Sequence, residues 1–110
     1  MKIKEIVNCL EKLAPLSLQE TYDNAGFIIG SADNELTKVL VTIDITEDVI
    51  DEAIKLGCNF IISHHPLIFG NLSKITNDGS TGNCIIKAIK NDIALYASHT
   101  NLDNVIGGVN

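Results

Sequence analysis

Ile3, Ile6, Val7, Leu10 and Leu13 recur at helical spacing, with Lys, Glu and Asn between them. Apolar residues three and four apart share one helix face, so a first helix is predicted here. Pro15 disfavours helical geometry at Ala14, which ends it near that point. Ser17-Leu18-Gln19-Glu20 has the form of a capping box and predicts the start of a short turn. Tyr22 to Gly26 reads as a polar, glycine-bearing turn, and Phe27-Ile28-Ile29 as a short strand closed by Gly30. After a polar loop, Lys38-Val39-Leu40-Val41-Thr42-Ile43 is β-branched and mostly apolar, the pattern of a buried strand. Thr46 is placed to cap a second helix whose inner stripe is Val49, Ile50, Ala53 and Ile54 and which Gly57 closes. A strand at 59–63 follows at once. Residues 70–83 turn to Asn, Ser, Thr, Gly and Asp and predict a long loop, of a length that in small domains is usually functional or mobile. Ile85, Ile86, Ala88 and Ile89 mark a third helix ending near Asn91, and 93–98 is a further strand.

Strand, helix, strand, helix, strand from 38 to 98 calls for crossover connections and parallel strands. With the short strand 27–29, the expected fold is three-layer α/β: a mixed, largely parallel sheet flanked by helices, in a single domain over 1–110. Ligands of such sheets sit beyond the C-terminal ends of the strands. Asp44, His64, His65, His99 and Asp103 all fall on that edge, and the chain's three histidines are all among them. One histidine at a strand end is usually a hydrogen-bonded surface residue. All of them on one edge beside carboxylates point to a divalent metal, for which neutral imidazole and carboxylate suit Zn, Fe, Mn, Co or Ni.

Neighbouring side chains of an extended chain point to opposite sides. His64 and His65 are therefore expected to be splayed, fitting one ion poorly but reaching two adjacent ions, and Pro66 reinforces the extended geometry at His65. His99 and Asp103 share a face if their turn is helical. Asp44 reads more simply as a strand-end turn residue than as a group that orients a ligand. Thr100 and Asn101 either orient Asp103 or merely suit a turn. Lys74 reads as a solvated loop lysine. Three histidines and one or two aspartates cannot enclose two ions, so further donors must come from elsewhere.

Charge narrows the partners. The net charge is −6, all eight basic residues are scattered lysines, and Arg is absent. That excludes a basic patch for nucleic acid or an anionic membrane. No apolar run approaches the ~20 residues of a membrane span. The amino terminus has no signal-like core, and Cys9, Cys58 and Cys84 form no C-x-x-C pair. Reduced thiols and a cytoplasmic location are expected.

Three segments carry a resemblance: Tyr22-Asp23-Asn24-Ala25-Gly26-Phe27, Ile61-Ile62-Ser63-His64-His65-Pro66-Leu67-Ile68-Phe69 and Tyr96-Ala97-Ser98-His99-Thr100-Asn101-Leu102-Asp103. Together they resemble the Nif-three-like family, whose members are often labelled GTP cyclohydrolase 1 type 2 homologues, over essentially the whole chain. The resemblance implies a cytosolic dinuclear-metal protein forming toroidal hexamers. By position, it makes His64 and His65 ligands to different ions and Asp103 a ligand to one of them. His99 becomes a further ligand or a catalytic proton-transfer group, and Asp23 and Asn24 lie near the site without an assigned role. It further implies a His and a Glu, spaced as H-x-x-x-E, in a second half that these residues do not include, the present residues ending just as the next helix is expected to begin. Two functions are compatible with this. One is a metal-dependent hydrolase acting on a nucleotide or other heterocycle, incomplete in this chain. The other is a non-catalytic metal-binding scaffold or regulatory interaction protein.

Overall fold

The computed structural model describes residues 1–109, with side chains through residue 105. Helix α1 spans Ile3–Leu13. The Glu5 carboxylate reaches back to accept from the Lys2 N–H at 2.8 Å, satisfying a donor at the helix start. A short 3₁₀ turn at Leu16–Leu18 follows Pro15. Ser17 lies inside that turn rather than ahead of it, so the capping box expected from Ser17 and Glu20 is not its start. Strand β1 is Gly26–Ile29 and strand β2 is Val39–Thr42. Helix α2 covers Glu47–Leu56: Thr46 Oγ1 accepts from the Val49 N–H at 3.2 Å, and Gly57 ends the helix at φ 74°. Strand β3 is Phe60–Ser63. Helix α3 is Ser80–Lys90, starting a turn earlier than the isoleucine spacing indicates and shortening the preceding loop. Strand β4 is Ala94–Ala97, and helix α4 is Thr100–Val109. The next helix, expected to begin only where the chain ends, instead begins directly after His99.

The sheet order is β1-β4-β3-β2. β2, β3 and β4 are parallel, while β1 runs antiparallel to β4, with Gly26 beside Ala97. The three layers are α1, the sheet, and the α2–α3 pair. Alternation along the strands divides the core in two. Ile61 and Leu95 pack with Ile50, Ala53, Cys84, Ile85 and Ala88 on one face, and Phe60, Ala94 and Tyr96 pack with Ile3 and Val7 on the other. Each large side chain buried this way contributes roughly 1.5–3 kcal/mol. Cys58 and Cys84 are buried free thiols, whereas Cys9 is exposed. No helix among the described residues is long and apolar enough to cross a membrane.

The reading of 38–43 as a buried strand needs correction. β2 is an edge of the sheet, and the α1 side covers its start, at Val39, rather than its far end. Val41 and Ile43 are left 74% and 62% exposed. The apolar run resembles a central parallel strand, but periodicity does not reveal position within a sheet.

Candidate metal centre

Three parallel strands deliver their C-terminal ends to one rim, and the site is built there. β3 runs out at Ser63, and the pairing with β2 persists for two more residues: the His64 N–H donates to Thr42 O at 3.2 Å and the His65 N–H to Ile43 O at 3.0 Å. The chain bends as it does so, and Ser63 Oγ donates to the His65 carbonyl at 2.8 Å. The bend removes the splay expected of adjacent histidines. Their ring centroids are 5.0 Å apart, and His99, just past β4, lies 5.1 Å from His64 and 5.3 Å from His65. Each ring offers one ligand nitrogen, and these three atoms lie within 4.8 Å of one another.

All three Nδ1 atoms are already engaged. His64 Nδ1 is 2.8 Å from the Ser98 carbonyl, His65 Nδ1 is 2.6 Å from Asp44 Oδ1, and His99 Nδ1 is 2.9 Å from Asp23 Oδ1. Each partner is an acceptor, so in the neutral ring Nδ1 carries the proton and Nε2 presents the lone pair. That is how metal-binding histidines are held. The first turn of α4 adds Asp103, whose Oδ1 is 3.7 Å from His64 Nε2. The helical alternative for His99 to Asp103 is the one observed: the N–H groups of Leu102 and Asp103 both donate to the His99 carbonyl at 3.1 Å.

Asp23 is the least exposed acid of the site, its side chain having 0% exposure. Burial alone would raise its carboxyl. Hydrogen bonds from His99, from the Thr100 hydroxyl and amide, and from the Asn24 amide outweigh burial and hold it at about 2. Asn24 ties the rim together from the other side, its Nδ2 donating to the Ile68 carbonyl at 2.8 Å.

The rim residues therefore gather as expected, but several supporting roles differ. Asp44 is more than a turn residue, since it holds His65. Thr100 and Asn101 do not hydrogen-bond Asp103. Thr100 serves Asp23, and the fully buried Asn101 accepts from the His99 N–H at 2.9 Å and donates to the Ala14 carbonyl at 2.8 Å. The part played by Asp23 was not legible, because 76 residues separate it from His99. Its signals were an acid inside a glycine-bearing turn and membership of the first family-like segment, neither of which assigns it a partner.

Over residues 1–110 the sequence matches the model of the Duf34/NIF3 (NGG1p interacting factor 3) family. The chain belongs to that family. Two relatives named GTP cyclohydrolase 1 type 2 homolog agree. The one from Clostridium perfringens is 47% identical over 110 residues, all of this chain and 42% of its own length. The one from Clostridium acetobutylicum is 46% identical, again over all of this chain and 41% of its own length. A crystal structure of the Staphylococcus aureus protein SA1388 superposes with a TM-score of 0.89 at 47% identity, covering 94% of this chain and 29% of that one. A Bacillus cereus protein related to NIF3 gives 0.88 at 47% identity, with 94% and 28% covered. The chain spans about two fifths of the length of the clostridial family members.

Proposed function

We propose that this NIF3-family chain binds a divalent metal through His64, His65, His99 and Asp103 and contributes that centre to a metal-dependent hydrolase acting on a nucleotide or other heterocycle. The observation that carries the reading is the convergence of three imidazoles, each tied at Nδ1 to an acceptor and each open at Nε2. Such a donor set fits Zn, Fe, Mn, Co or Ni. Four donors suffice for one tetrahedral ion. The pair of ions implied by the family resemblance requires donors beyond these. When bound, a divalent ion acidifies water and polarises a carbonyl or phosphoryl oxygen. His99 stands in the cluster on the same terms as His64 and His65, which favours a ligand over a proton carrier for it. The relatives named as GTP cyclohydrolase homologues support the heterocycle as substrate class.

The family description as an interacting factor supports a second reading, a metal-binding platform without turnover. Cobalt and zinc titration of the purified chain tests the centre itself. Uptake is expected, below two ions per chain, and His64→Ala abolishes it. Uptake unaffected by that substitution would refute the site. Turnover of GTP and related heterocycles by a metal-loaded, full-length relative separates hydrolase from platform.

A further inference from the structure

The acceptors behind the three histidines are unequal. His64 leans on a backbone carbonyl, and His65 leans on Asp44, whose side chain is 61% exposed. His99 leans on Asp23, a carboxylate with no exposed surface. Asp23 also does something the other two acceptors do not. Its second oxygen accepts from the Thr100 N–H at 3.0 Å and from the Thr100 hydroxyl. The same hydroxyl accepts from the Glu20 N–H at 2.9 Å. The Thr100 amide is the first of α4, one of the donors a helix leaves unpaired at its start. One side chain from a distant loop therefore caps the helix that carries Asp103 and orients the histidine that precedes it.

The geometry points to Asp23 as a positioning residue for the proposed metal, fixing the tautomer of His99 and the start of the helix bearing Asp103. This rests on the metal reading above. The chemistry makes a sharp claim about an isosteric change. In Asp23→Asn the one remaining side-chain oxygen keeps either the two Thr100 donors or the Asn24 N–H that reaches the other oxygen at 2.7 Å. Holding the helix-start pair and giving up the bond to the adjacent residue directs the amide NH₂ at His99 Nδ1. Nδ1 then has to accept, and the imidazole proton moves to Nε2. A protonated Nε2 has no lone pair for a cation. A shape-preserving substitution thus removes a ligand it never touches.

The test is ¹⁵N NMR of the histidine side chains in the metal-free chain at about pH 8, where free imidazole is neutral, followed by competitive cobalt titration. In the unaltered chain His99 is expected as the Nδ1–H tautomer. In Asp23→Asn it becomes Nε2–H, while His64, held by the Ser98 carbonyl, stays as it was and serves as the internal reference. Cobalt affinity falls 10- to 100-fold, the range typical of lost partners behind a ligand, and the visible cobalt bands shift. Thr100→Val keeps the Asp23–His99 bond and covers the case in which Asp23→Asn does not fold. It retains the tautomer but speeds amide exchange in the first turn of α4. An unchanged His99 tautomer in Asp23→Asn, or a changed tautomer with unchanged affinity, overturns the role given to Asp23. So does undisturbed exchange in Thr100→Val. Failure of the unaltered chain to take up cobalt has a different meaning: it removes the metal reading itself, and with it the ion that Asp23 is inferred to serve.

Discussion

Asp44 and His65 meet at the open side of the cluster, and their exposure sets how much that contact is worth. An exposed pair contributes little to stability, in the range of 0–1 kcal/mol. Its value lies in aiming one ring. Asp44→Ala is accordingly expected to leave the urea midpoint nearly unchanged while weakening cobalt binding, by less than Asp23→Asn does. Calorimetric titration beside chemical denaturation checks both halves. At this scale the ligand candidates could be read from the sequence, because strand ends and histidines are both local signals. The groups behind them could not. Asp23 reaches His99, Asn101 reaches Ala14 and Asn24 reaches Ile68 only once the chain has folded, and no spacing rule joins residues so far apart.

Elements were easier to read than residues, where local chemistry decides them. Thr46 brackets α2 by its hydroxyl and Gly57 by its ease at positive φ, and Pro15 ends α1. The misses at β2 and at Ser17 are places where neighbours rather than local preference decide, and the starts of α3 and α4 come earlier than expected. Gly30 shows how tightly the elements approach one another. Its φ is +108°, and a Cβ there would come within 2.9 Å of Ala94 Cα and Cβ on the adjacent strand. Gly30→Ala is expected to cost roughly 2–4 kcal/mol, combining backbone strain with overpacking. Urea unfolding measures this, and a loss under 1 kcal/mol would mean that β1 sits further from β4 than the backbone indicates.

For the whole molecule, the sheet's two faces are covered unequally. α2 and α3 lie over one, while α1 leaves the far end of β2 open on the other. Ile61, fully buried under α2 and α3, and Val41, mostly exposed, therefore respond differently. Ile61→Ala is expected to cost roughly 2–5 kcal/mol, and Val41→Lys to stay within about 0.5 kcal/mol. Thermal unfolding of the two variants side by side checks the asymmetry. The reversal of β1 has the widest reach. Because this strand runs against the other three, its beginning, and not its end, arrives where the others finish. That is how Asp23, three residues ahead of Gly26, comes to stand behind His99. An engineer grafting these four donors onto an all-parallel scaffold would copy the candidate ligands and find one imidazole unsupported. The transplant has to include a strand of opposite sense, or an acid recruited to stand in its place.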